Sequence, residues 1–234
     1  MRISKYGILL STLREEDIEL VREKRNSDLI RNTMQYREII TAEMQKVWFD
    51  KIIHAIYRNE SPSFYFIINY RNEKIGLING KNIDANSQSS EGGFFIWASE
   101  YWGSLVPVMT SLIMLDYTFL LNEYKENYIK VLKSNSNAIF YNKQLGYEAI
   151  EKYSGDGESQ YYVLGKEKYL NHVNKFRKSI GAITGDYEPL SLSNLDFNDT
   201  SEEELIRIFP LLKDFQKQQL KKILLFNNRT ILFD

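Results

Sequence analysis

The chain has 234 residues, 43% of them apolar, enough for one packed domain or one domain with an appendage. Its 30 basic and 31 acidic residues leave a formal net charge of -1, so there is no electrostatic footprint for DNA or RNA. It has no cysteine, which excludes disulfides, thiolate zinc sites and a cysteine nucleophile; no metal is expected, and the composition fits a reducing cytoplasm.

The opening stretch lacks the basic start and long apolar core of a signal peptide. Gly7 to Ser11 reads as a short strand. Leu13 to Arg25 carries Glu15, Glu16 and Asp17 early and Arg22, Lys24 and Arg25 late, the distribution a helix dipole favours. A loop through Arg31, Met34, Gln35 and Tyr36 leads to a second helix starting near Thr41. On it Trp48, Phe49, Ile52, Ile53 and Ile56 share one face, and His54 falls on the opposite, polar face. Phe64 to Tyr70 and Lys74 to Ile83 read as a hairpin about Arg71-Asn72-Glu73.

A third antiparallel strand, Glu91 to Trp97, precedes the loop Tyr101-Trp102-Gly103 and an apolar helix to Asn122. The apolar run Leu105 to Leu121 is too short to span a membrane, and it contains Pro107 and Asp116; it reads as a buried helix. Tyr128 to Leu132 is the next strand, and Asn135 to Gln144 a helix stopped by Gly146. Tyr147 to Tyr153 and Gln160 to Lys166 form a last hairpin around Gly155-Asp156-Gly157.

Three segments are expected: residues 1–166 as the main domain, 167–200 as a linker with a short helix over Asn171 to Ser179, and 201–234 as a helical appendage. The appendage opens on a capping box at Ser201 to Glu204, and Pro210 divides it into two helices. An amphipathic helical pair of this length does not stand alone in water. It is expected to pack on the main domain or on a second copy, the latter making a homodimer through the C-terminal helices.

The order β-α-α-β-β-β-α-β-α-β-β predicts an α+β fold, a mixed and mostly antiparallel central sheet flanked by helices. With Asn135-x-x-Ala138 and Leu145-Gly146-Tyr147, it resembles the GNAT superfamily of acyl-CoA-dependent N-acyltransferases over residues 7–166. Tyr101-Trp102-Gly103, followed by Asp116-Tyr-Thr-Phe119, is similar to the branch that acetylates ribosomal protein N-termini. The spacing of Arg25-Asn26, Ile30-Arg31, Met34, Ile40 and Trp48 is similar to the branch that acetylates nucleotide-linked amino sugars, as in pseudaminic acid synthesis.

The resemblance implies acetyl-CoA as acyl donor and a small-molecule amine as acceptor. It places Phe95, Ile96 and Trp97 on the strand edge that pairs with the pantetheine arm. Trp102, Gly103, Ser104 and Leu105 fall in the pyrophosphate loop, and Asn135 lies either near the cofactor or as a plain helix cap. The family's loop pattern is Arg/Gln-x-x-Gly-x-Gly/Ala, and the stretch Glu100 to Pro107 keeps only Gly103. Glu91 is implied as a base, directly or through water, against the alternative of a solvated carboxylate. The leaving-group acid is often a tyrosine four residues after the Ala position. Asn142 stands there, with Tyr141 one residue, about 100°, to the side.

Arg25, Asn26, Gln35, Tyr36 and Trp48 border the acceptor side in this fold; the alternative makes Trp48 core and Arg25 a helix-end charge. The leading expectation is direct acetyl transfer to a nucleotide-linked amino sugar. Protein N-terminal acetylation, and a non-catalytic binding module working through its helical tail, are the alternatives.

Overall fold

The computed structural model describes residues 1–57, 63–84, 86–151, 157–198, 200, 202, 205–206, 209, 214–226 and 231, without the side chains of 53–57, 215–216, 219, 223 and 226. Among these residues nine strands form one sheet in the order β7-β8-β6-β5-β4-β3-β2-β1-β9. In chain order they are β1 Arg2–Lys5, β2 Ile8–Thr12, β3 Phe64–Tyr70, β4 Glu73–Asp84, β5 Ser89–Ile96, β6 Glu126–Leu132, β7 Glu148–Ile150, β8 Ser159–Gly165 and β9 Leu195–Asp196. The helices are α1 Ile18–Asn26, α2 Asp28–Arg31, α3 Ala42–Tyr57, α4 Val106–Asp116, α5 Ser136–Leu145, α6 Lys166–Thr184 and α7 Asp214–Phe226. Every pairing is antiparallel except β5 with β6, so the expected mixed, mostly antiparallel α+β sheet is present.

Local chemistry sets the turns. Arg71 and Asn72 both adopt positive φ, the geometry of a two-residue hairpin turn, and so do Tyr6 and Gly7. The second turn adds β1, a strand not expected from the sequence. β5 alternates strictly: Phe94 and Ile96 face a core shared with α4, α5 and α6, while Phe95 and Trp97 face a second core beneath α1 and α3. α4 is buried from Val106 to Asp116 apart from Val108 and continues into a wider turn over Tyr117–Leu121. That explains its apolar sequence without a membrane.

The stretch 167–200 is not a linker with a short helix. α6 runs past the expected ends to Thr184, where Gly185 adopts a positive φ, and β9 then pairs with β1. Asp116, fully buried at the end of α4, explains the attachment. It accepts from Tyr169 Oη at 2.5 Å, from the Arg177 guanidinium, and from the backbone N–H of Leu190 at 2.9 Å. Phe197, Leu205, Phe209, Leu220 and Leu224 form a small third cluster against Met1 and Leu195 of the same chain. The capping box at Ser201 to Glu204, the break at Pro210, the Gly155-Asp156 turn and the His54 side chain lie outside the described residues. His172 is half-buried and packs beside Gly146.

Candidate active site

β5 and β6 pair only from Ser89↔Glu126 to Glu91↔Tyr128, after which β5 continues to Ile96 and β6 to Leu132 with no pairing between them. The sheet therefore opens as a wedge with its vertex at Glu91 and Tyr128, and facing strand edges keep backbone donors and acceptors for an extended ligand. Which groups face the wedge follows from the β4 register. Trp97 donates its N–H to Ile75, so Trp97, Phe95 and Gly93 turn their backbone toward β4, and Gly92, Phe94 and Ile96 turn theirs to the wedge. Of the expected trio Phe95, Ile96 and Trp97, only Ile96 presents its backbone to the opening; Phe94 joins it. The Ile96 carbonyl accepts from the Trp102 indole at 2.8 Å, which ties the next loop to the strand end.

That loop enters α4 at the open end of the wedge. Ser104 N–H is already donated to Tyr101 at 3.0 Å, and its hydroxyl accepts from Val106 N–H, so it is not a free donor as expected. Among the described residues, the N–H groups of Gly103, Leu105 and Val108 have no backbone partner, and Pro107 within the first turn has none to give. Gly103 faces open space. Three free amides at a helix start suit an anion, with one fewer donor than a glycine in place of Pro107 would supply.

α5 forms the other wall. Asn135 caps it, accepting from Ala138 N–H at 3.1 Å, so its structural role is real. Asn142 donates to the Ala138 carbonyl one turn back at 2.8 Å and keeps its amide on its own helix. Tyr141 is the residue turned to the sheet. Its ring lies 5.8 Å from Phe94, and its hydroxyl hydrogen-bonds Ser111 of α4 at 2.7 Å. Burial raises its pKa, and the Ser111 hydrogen bond offsets only part of this. The Tyr141 hydroxyl, unlike the Asn142 amide, reaches across to α4. Ser111 reads in the sequence as one more residue of an apolar helix and carries no separate signal.

On the α1–α3 face of the sheet, a pocket of about 340 Å³ sits at the vertex, lined by Asn82, Asp84, Ser87, Ser89, Ser90, Glu91 and the rings of Tyr128 and Tyr161. The Glu91 carboxylate pairs with Lys81 at 3.1 Å and accepts from Asn82 at 2.9 Å, so it is held in place rather than solvated at random. Tyr128 donates to Glu126, and this bond, with burial, pushes its pKa up to about 12. Trp48 is half-buried, packs against the second core and meets Tyr65 edge-on at 5.2 Å. Asn26 is otherwise engaged: its side chain bonds both the N–H and the C=O of Ile40 and fixes the loop that carries Gln35 and Tyr36. That loop is exposed, and Arg37 within it reaches Glu158 beside β8 at 3.7 Å, so it crosses the open face. Arg25 is half-buried, and burial lowers its pKa.

A family model described as an acetyltransferase (GNAT) domain matches residues 8–148. The chain belongs to the GNAT acetyltransferase family. It is therefore an acyl-CoA-dependent N-acyltransferase, and the wedge and helix start described above lie within the matched GNAT region. α6, β9 and the tail lie beyond it. No curated protein matches the chain significantly. Among solved structures, apo FdhC, a nucleotide-linked sugar GNAT, superposes with a TM-score of 0.63 at 19% identity, covering 77% of this chain and 99% of its own. Spermidine N-acetyltransferase from Vibrio cholerae, in complex with CoA and spermine, superposes with a TM-score of 0.57 at 20% identity, covering 71% and 100%. At such identities the likeness is one of GNAT fold.

Proposed function

We propose that the protein transfers the acetyl group of acetyl-CoA to a primary amine of a nucleotide-linked amino sugar, by direct attack in a ternary complex. The observation that carries this reading is the pocket at the wedge vertex. All of its lining residues offer hydroxyl, carboxamide or carboxylate groups, and two tyrosine rings supply flat faces. That chemistry suits a hydroxyl-rich ring bearing an amine, at the small end of the ~300–1,000 Å³ range of ligand sites. Fold likeness to a nucleotide-linked sugar GNAT agrees with it.

The wedge accommodates a donor arm with amide groups, held by the backbone of Phe94 and Ile96, and the free amides of Gly103, Leu105 and Val108 take its phosphates. Asn135 stays a cap in this scheme and contributes only by fixing the start of α5. The neutral amine attacks the thioester carbon, and a β5 backbone N–H facing the wedge meets the developing oxyanion. The amine proton leaves to Glu91, directly or through water, and the leaving thiolate is protonated by Tyr141 or by water. Arg25 and the exposed loop through Gln35 and Tyr36 border the path along which a nucleotide diphosphate would lie.

The test begins with melting temperature. Acetyl-CoA at about a hundred times its Kd stabilises the native state by roughly 2.7 kcal/mol, which for a chain of this size is a rise of about 5–10 °C. Free-thiol release is then followed across nucleotide-linked amino hexoses, polyamines and basic peptides. Turnover restricted to the sugars supports the reading. No thermal shift at millimolar acetyl-CoA, or turnover of peptides or polyamines alone, rejects it.

A further inference from the structure

Gly92 and Gly93 stand together where β5 parts from β6, and an asparagine lies over each, one on either face of the sheet. A Cβ on Gly92 would meet Asn127 Oδ1 at 3.0 Å; a Cβ on Gly93 would meet Asn79 Oδ1 at 2.9 Å. The two asparagines differ in what else they hold. Asn127 is buried, donates to Ser90 Oγ at 2.9 Å and accepts from Tyr147, so both ends of its amide are engaged. Asn79 is half-buried and hydrogen-bonded to the Tyr65 hydroxyl, while its Oδ1 looks across Gly93, which is itself exposed. The register places Tyr65, Asn79 and Gly93 in one row across the strands, with Lys81 and Glu91 in the next row on the same face. Trp48 buttresses the far end of the row through its edge contact with Tyr65.

We propose that Asn79 binds and orients the acceptor amine, an inference that rests on the reading of the wedge as the thioester site. A neutral primary amine has two N–H groups and one lone pair. With one N–H donated to Asn79 Oδ1 and the other directed to Glu91, the lone pair is left to point across Gly93 at the thioester carbon. The N–C bond forms as the carbonyl π pair moves to oxygen, and collapse breaks the C–S bond. One amine proton goes to Glu91 or water, and the thiolate takes a proton from Tyr141 or water. Asn79 itself takes no proton. Gly93 has no side chain because a Cβ would fill the approach and crowd Oδ1.

The test uses the full chain with Asn79→Ala, Asn79→Asp and Gly93→Ala. Acetyl-CoA is the donor, and the nucleophile is a nucleotide-linked amino hexose that turns over, or hydroxylamine if none does. Asn79→Ala should lower kcat/KM for the amine about tenfold or more, the loss of one hydrogen bond made to the nucleophile. The thermal shift with acetyl-CoA should stay that of the wild type. Asn79→Asp keeps an acceptor oxygen and should recover part of the rate. Gly93→Ala, folded by circular dichroism, should lose most of it. An Asn79→Ala enzyme within twofold of wild type overturns the proposal. So does an Asn79→Ala enzyme that loses the acetyl-CoA shift, since Asn79 would then support the donor site. Absence of that shift in the wild type takes down the donor reading as well, so the two failures are distinguishable.

Discussion

At the scale of single residues, position on the element decides less than the partner the side chain finds. Tyr141 and Asn142 are neighbours on α5, and sequence alignment with the family pattern favours the position of Asn142. Yet the Asn142 amide closes onto Ala138 in its own helix, whereas the Tyr141 hydroxyl reaches Ser111 over Phe94. Tyr141→Phe should therefore lower kcat by about a hundredfold, the bottom of the range for a positioned proton donor. The KM for acetyl-CoA should change little, because the ring contact with Phe94 is kept. Asn142→Ala should leave kcat within about twofold and cost only helix stability. Steady-state thiol release on the two variants checks both, and equal rates for Tyr141→Phe and wild type would assign the proton to water.

Among the elements, those with a strong local pattern were legible and those made by long-range pairing were not. Phe94 to Trp97 is an aromatic and β-branched run, the stretch behind Pro107 is mostly apolar, and Gly146 ends α5 in the left-handed region, so these elements lie close to where the sequence places them. β1 and β9 are short and lack a pattern of their own; β1 forms through the tight turn to β2, and β9 exists because it pairs with β1 from far along the chain. The wedge was inferable only through family resemblance, since nothing in the residues of β6 says that pairing stops at Tyr128. The paired glycines in mid-strand were a readable sign of close approach that the sequence reading did not use. Asp116 belongs to the same lesson: it reads as an interruption in an apolar helix, and in the fold it fastens α6 to α4. Arg177→Met strands that buried carboxylate and should cost roughly 3–5 kcal/mol, whereas Asp116→Leu combined with Arg177→Met should recover only part of the loss, because Tyr169 Oη and the Leu190 N–H then lose their acceptor. Urea unfolding of the single and double variants measures the coupling; additive losses would show that the pair does not fasten the helices.

For the whole molecule, the aromatic content seen in composition becomes a statement about pH. Burial raises the pKa of Tyr6, Tyr65, Tyr117, Tyr141, Tyr147 and Tyr169 above the ordinary phenol value, and it pushes Tyr124 up to about 12. These residues lie on both faces of the sheet, in both main cores, so the effect belongs to no single site. In each case the native state holds its proton at a pH where the unfolded chain, with phenols near ~10, has released it. The stability contributed by burying a neutral phenol is therefore complete below pH ~10 and is lost as pH rises through the folded value. Each such tyrosine can add up to ~1.4 kcal/mol of destabilisation per pH unit in that window, and several acting together make the loss steep. The outcome expected is a single cooperative alkaline transition between pH ~10 and ~12, in which tyrosinate absorbance and loss of far-ultraviolet circular dichroism move together. Tyr128 is a more accessible ring, but its hydrogen bond to Glu126 raises its pKa to about 12, so it should ionise only at the alkaline end of this window and give no early absorbance step. Most tyrosines titrating before the dichroism falls would mean that the cores admit hydroxide without opening, contrary to the packing seen around Tyr117, Phe119 and Tyr169.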